Sequence, residues 1–320
     1  MTVTSPPCDD RRRPPHYQPA SDGRVSYSSP AQFALDQAGI AVPSGLRLII
    51  GVAAAVVAAV GLAGPVSGAS WAPPPVNGMF DYQIGGDYPP PPGVRIVARD
   101  WFNGSAHAGA YSICYLNAFQ TQSDEAGVDR PDEQSNWPPG LVLEELGDDP
   151  NWGGEYLVDL SSRAKRAQAA DWVQPMIQIC ADKGFDAIEY DNLDSWTRMD
   201  GTPVEDDVPF GKAQANAYAG RLTDRAHALG LAVAQKNGLD LNRRQSRERI
   251  GFDFAIAEEC GRFSECRDYR ALFGNRVIVI EYRRRDFGRA CKAVGKTMSV
   301  VLRDVNVTRP GQASYQYAAC

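Results

Sequence analysis

The stretch Glu189-Tyr190-Asp191-Asn192-Leu193-Asp194 places three carboxylates within six residues, directly after the apolar pair Ala187-Ile188. Side chains alternate along a strand, so Glu189 and Asp191 share one face. Further along, LAVAQKN closes on Lys236-Asn237, FDFAIAEE on Glu258-Glu259, and RVIVIEY on Glu281-Tyr282. Two carboxylates flanking a bond, one ionised and one protonated, are what glycosidic hydrolysis requires. Clustered carboxylates disfavour each other's ionisation, while a nearby lysine such as Lys236 favours the ionised form. Asn192 and Asn237 can orient a carboxylate or a sugar hydroxyl. Tyr82, Tyr115 and Tyr282, with Trp101, Trp137, Trp152 and Trp196, can stack on sugar rings, although each taken singly serves packing equally well.

Other chemistries lack their residues. The three histidines (His16, His107, His227) are scattered, and no Gly-x-Ser-x-Gly, Walker, Gly-x-Gly-x-x-Gly or Cys-x-x-Cys pattern occurs. No metal and no cofactor is expected. The 320 residues carry 33 Lys and Arg against 39 Asp and Glu, a formal charge of −6. That is the wrong sign for a polyanion binder, so nucleic acid is not an expected partner.

The elements that must position these residues share a pattern: nearly every apolar run ends in a polar group. Tyr82 and Gln83 follow Met79-Phe80, Asp100 ends VRIVARD, Tyr115 and Asn117 end YSICYLN, and Arg303-Asp304 end MSVVLRD. Strands are predicted at 79–85, 94–101, 111–117, 185–192, 231–237, 252–259, 276–282 and 298–304. EYLVDL at 155–160 reads as part of a long loop. Helical periodicity runs from Ser161 to Lys183, with Trp172, Met176, Ile177 and Cys180 on one face. It recurs from Lys212 to Leu229, which stops at Gly230. Strands alternating with helices predict an α/β fold, a (β/α)8 TIM barrel over 79–320 whose strand ends meet at one mouth. An open doubly wound sheet is the runner-up, weakened by the missing glycine-rich phosphate turn.

Residues 1–45, rich in Pro, Ser, Arg and Asp, read as a disordered tail. Residues 46–64 contain sixteen uncharged residues, LIIGVAAAVVAAVGLA, after Arg47. They read as a signal peptide or a signal-anchor helix, and a start assigned too far upstream would account equally well for the long leader. Residues 65–78 form a Pro/Gly-rich linker. The positive flank directs export of the downstream chain, secreted or held at a membrane by 46–64. Beyond Cys8, six cysteines remain, an even set suited to an oxidising compartment. Fifteen connectivities are open, and the neighbours Cys260 and Cys266 in EECGRFSEC are the expected pair.

The segments GFDAIEYDNLDSW, LAVAQKNGLD, FDFAIAEECGRFSEC and VIVIEY together resemble glycoside hydrolase family 114, the endo-α-1,4-polygalactosaminidases. The resemblance covers about Phe80 to Leu302. It implies an extracellular (β/α)8 barrel cleaving internal α-1,4 bonds of a galactosamine-containing polysaccharide without a metal. Matching motif positions assigns catalysis to Asp191 and Glu258. Glu189, Asp194, Lys236, Asn237 and Glu281 match the surrounding motifs, and Tyr82, Gln83, Asp100 and Tyr115 fit more loosely as substrate-binding residues, with Asn192, Glu259 and Tyr282. The chain departs from the family pattern at two positions: Asp81 where an aromatic is expected, and Glu259 where glutamine is common. The second adds negative charge beside Glu258, which favours a cationic, partly deacetylated amino-sugar polymer as the partner. The rival from another class is a non-catalytic cell-surface carbohydrate-binding barrel, which has no need of both Asp191 and Glu258.

Overall fold

Apolar residues on both faces of short runs make strands that must be covered on both sides. In the computed structural model, which describes residues 70–123 and 130–320, eight such runs form β1 (Phe80–Tyr82), β2 (Ile96–Asp100), β3 (Tyr111–Asn117), β4 (Ala187–Asp191), β5 (Ala232–Lys236), β6 (Phe254–Glu258), β7 (Val277–Glu281) and β8 (Ser299–Arg303). They pair in chain order, every neighbour parallel. The expected tail, the 46–64 segment and residues 65–69 of the linker lie outside the described residues. Among those described, no helix is long and apolar enough to cross a membrane.

The two faces of the strands separate into two packed groups. Phe80, Ile96, Ile113, Ala187, Phe254 and Ile278 fill the lumen with their same-face neighbours. Cys114, Ile188, Val233, Ala255 and Val279 face outward against the helices. A ninth strand, β9 (Tyr317–Ala319), was not foreseen and runs antiparallel to β8. It lies at the seam with β1, where Tyr317 Oη donates to Phe80 O at 3.2 Å. The fully buried Arg303 reaches Asp81 across the same seam, 3.3 Å away.

Helices α1 (Arg163–Asp182) and α2 (Lys212–Ala228) match their predicted spans to within two residues, and Ser162 Oγ caps α1 by accepting from Lys165 N. A π-helical segment, Arg244–Ile250, joins β5 to β6. Helices α3 (Cys260–Phe263) and α4 (Cys266–Phe273) join β6 to β7, and α5 (Arg284–Val294) joins β7 to β8. The (β/α)8 expectation is corrected at the first two crossovers, 83–95 and 101–110, which contain no helix. The first holds the prolines Pro89 to Pro92, which cannot donate helical hydrogen bonds. The second is short and makes a tight turn, where a Cβ on Gly104 would lie 2.2 Å from Asp100 O. EYLVDL stays in the β3–α1 loop, held by single bridges from Leu157 and Val158.

Three disulfides tie the layers. Cys260–Cys266 forms as expected. Cys114–Cys180 fastens β3 to α1, and Cys291–Cys320 fastens α5 to the residue after β9.

Candidate active site

Lys236 ends β5 pointing into the lumen, and its ammonium gathers three carboxylates. Nζ lies 2.9 Å from Glu189 Oε1, 3.1 Å from Asp191 Oδ1 and 3.5 Å from Glu258 Oε1. The arrangement is layered. Lys236 and Glu189 are closed off, their side chains 2% and 0% exposed, whereas Asp191 at 18% and Glu258 at 26% reach solvent. Strand alternation produces this depth: Glu189 sits two residues below Asp191 on the lumen face of β4.

Tyrosines complete the ring. Tyr82 Oη donates to Glu189 Oε1 at 3.0 Å, Tyr115 Oη to Asp191 Oδ2 at 2.9 Å, and Tyr282 Oη to Glu258 Oε1. Lys236 Nζ also lies 5.8 and 5.9 Å from the ring centres of Tyr82 and Tyr115, within cation–π range. Burial first, then the surrounding carboxylates, raise all three phenols well above their ordinary range, so they remain donors.

The acids differ in charge state. Burial would push Asp191 upward, but Lys236, then Arg198, the Asn192 N–H and Tyr115 outweigh it and hold the carboxyl below its usual range. Glu189 is pushed up to about 7 by burial, against the pull of Lys236. Lys236 stays protonated: burial works against its charge, and Asp191, Glu189 and Glu258 more than restore it. Asn237 positions Glu258 twice, donating from Nδ2 to Oε2 at 3.0 Å and accepting the Glu258 N–H at 2.9 Å.

Each of the three reactive strands is followed by a non-glycine residue in the left-handed region: Asn192 (φ 61°) after Asp191, Asn237 (φ 49°) after Lys236 and Glu259 (φ 54°) after Glu258. The turn sends the chain sharply outward and leaves the last strand side chain facing the mouth. Asparagine tolerates that conformation; glutamate adopts it at a cost.

Eight of the expected residues therefore meet: Tyr82, Tyr115, Glu189, Asp191, Lys236, Asn237, Glu258 and Tyr282. Others are placed elsewhere. Glu281 faces outward from β7, where Oε1 accepts the Gly261 N–H at 2.6 Å; a Cβ on Gly261 would lie 2.8 Å from that oxygen. Gln83 is fully buried, its amide donating to Asp81 and accepting from Arg99. Asp100 is held by Arg130 through two hydrogen bonds of 3.1 and 3.0 Å. Asn192 bonds to Asn117 and Arg198, and Asp194 pairs with Arg198 at 2.9 Å. The extra charge expected from Glu259 is answered by Arg262, 2.9 Å away. Trp101 and Trp137 are core residues bonded to Asp132, while Trp152 stays exposed in the β3–α1 loop and Trp196 is half-buried.

Missed in the sequence are Arg198, which acts on Asp191, and Glu155, which joins the same corner through Asn117. Arg198 lies four residues past Asp194 and was within reach of a local charge-pairing argument. Cys260, Cys266 and Glu281 approach one another closely, but the two sulfurs are bonded to each other and the trio does not form a metal centre.

A parallel α/β barrel with two solvent-reaching carboxylates on one lysine defines a site of the glycosidase kind. The sequence profile of glycoside-hydrolase family GH114 matches residues 63–320, and the chain belongs to that family. Among solved structures it is similar to Aspergillus fumigatus Ega3 in complex with galactosamine, at 21% identity over 80% of this chain and 100% of that one, with a TM-score of 0.62. The glycoside hydrolase domain of PelA from Pseudomonas aeruginosa is 13% identical over 74% of this chain and 98% of that domain, with a TM-score of 0.49. No curated protein sequence matches the chain.

Proposed function

We propose that this glycoside hydrolase cleaves internal α-1,4 linkages of a partly deacetylated galactosamine polymer, with Asp191 as nucleophile and Glu258 as general acid and base. The observation that carries the reading is the shared ammonium: Lys236 touches both carboxylates that reach solvent. One ammonium within 3.1 and 3.5 Å of the two keeps them close together, in keeping with the short separation of retaining enzymes. The galactosamine bound in the Ega3 structure and the negative mouth support the amino-sugar substrate. Three disulfides support an exported protein, secreted or anchored by 46–64.

In the first step Asp191 attacks the anomeric carbon, forming a glycosyl ester as Glu258 gives its proton to the departing oxygen. In the second, Glu258 takes a proton from water, whose oxygen displaces Asp191. Tyr282 and Asn237 hold Glu258 during both transfers, and Lys236 with Tyr115 keeps Asp191 ionised.

The test is digestion of partly deacetylated α-1,4-polygalactosamine. Asp191→Asn and Glu258→Gln each lose activity by about 1000-fold or more with an unchanged melting temperature. The first-formed product, read by proton NMR, is the α anomer. Full activity in either variant removes the residue assignment, and a β product removes the nucleophile role.

A further inference from the structure

Glu155 lies on the β3–α1 loop, 7% exposed, and none of the roles above uses it. Its Oε2 accepts from Asn117 Nδ2 at 2.9 Å and from Asn192 Nδ2 at 3.5 Å. Asn117 is the register partner of Asp191 across β3 and β4, and Asn192 is the next residue of the chain. Glu155 therefore stands beside the attacking carboxylate. Its surroundings are unlike those of its neighbours. Glu189, Asp191 and Glu258 share Lys236, whereas among the described residues Glu155 has no ion-pair partner. Arg198, whose charge acts on it, donates instead to Asn192 and Asp194. Burial first, then the charge of Asp191, push Glu155 up to about 8.

We propose that Glu155 is a specificity-determining residue that reads the nitrogen on carbon 2 of the sugar attacked by Asp191, selecting a free ammonium over an acetamide. The assignment rests on the hydrolase reading above. Carbon 2 is one bond from the anomeric carbon, so a group that reads its substituent has to lie next to the nucleophile. An ammonium there supplies the cation that Glu155 lacks and forms a charge-assisted hydrogen bond. An acetamide is neutral and bulkier, so it supplies no charge to ionise the carboxyl and forms no charge-assisted bond with it. Because Glu155 is largely protonated at pH 7 in the free protein, ammonium binding ionises it and its proton passes to solvent.

Calorimetry with galactosamine and N-acetylgalactosamine, at pH 7 in two buffers of different ionisation enthalpy, tests this on the full protein. Wild type is expected to prefer galactosamine by about tenfold or more and to release up to about one proton on binding it. Glu155→Gln loses the preference and the proton release, and Glu155→Asp, which keeps the charge, retains the preference. On polymers, Glu155→Gln lowers kcat/KM for the deacetylated form by about 10- to 100-fold and leaves the acetylated form within about threefold. Equal losses on both polymers, or proton release that persists in Glu155→Gln, overturn the proposal. So does a wild type that releases no proton. If wild type cleaves no polymer yet shows the binding preference and the proton release, the hydrolase reading fails and the assignment of Glu155 stands.

Discussion

From β4 to β8 every crossover carries helical structure, and acids at the ends of β4 and β6 converge on Lys236 at the end of β5; from β1 to β3 the crossovers are irregular, and the acids of β1 and β2 are tied to arginines. In that first region Asp100 and Asp132 share Arg130, Asp87 meets Arg99 at 3.2 Å, and Asp81 meets Arg303 across the seam. Arg130 presents several donors in a fixed fork, so Asp100 and Asp132 are hydrogen-bonded as well as neutralised. In the second region one ammonium touches three acids, with the charge of Arg198 acting on Asp191 as well, so the acids where substrate enters are not individually paired. One part of the barrel uses buried charge as fastening and the other keeps it shared for chemistry.

Three substitutions test that contrast. The largest effect is expected from Arg130→Met, which strands Asp100 and Asp132 in the interior and lowers stability by about 3–5 kcal/mol. Chemical denaturation measures it, and kcat of the surviving folded protein should stay within about threefold. A large loss of kcat at full stability would make Arg130 part of the reactive region instead. Next, Lys236→Met removes the charge that holds Asp191 down. Asp191 then titrates at higher pH, so the acidic limb of the kcat/KM profile moves upward and activity at pH 5 falls by about 100-fold. An acidic limb that does not move would show that Lys236 only fastens.

The smallest effect belongs to Glu281→Gln. Burial first pushes Glu281 up to about 7, from an ordinary 4.5. A carboxyl whose folded pKa is raised stabilises the fold below pH 4.5, and that contribution is lost as pH rises to 7. The variant should therefore gain stability relative to wild type across that window, in melting curves, with kcat/KM unchanged. A fall in kcat/KM alone would return Glu281 to the mouth.

The same contrast separates what could be read in the chain from what could not. In Ile188-Glu189-Tyr190-Asp191 large non-acidic and acidic residues alternate, so the shared face of Glu189 and Asp191 is legible in the sequence itself. In VIVIEY both faces of the strand are apolar, so nothing local shows that Tyr282 points inward and Glu281 outward. The missing helix between β1 and β2 was written in Pro89 to Pro92, and the one between β2 and β3 in the ten-residue, glycine-containing span 101–110. Glu155 carries no local signal, since a long aperiodic loop brings it to Asn117. Of the disulfides only Cys260–Cys266 is local. Cys114–Cys180 depends on α1 packing against the outer face of β3.

The left-handed residues after β4, β5 and β6 bear on how this enzyme could be re-engineered. At Glu259 the strain of about 1–2 kcal/mol exceeds the roughly 0.5–1 kcal/mol of chain entropy that glycine adds to the unfolded state. Its side chain does no more than pair with Arg262 at the rim. Glu259→Gly thus offers a small reserve of stability beside the reacting groups, against which destabilising changes in the mouth could be introduced to accept a different sugar.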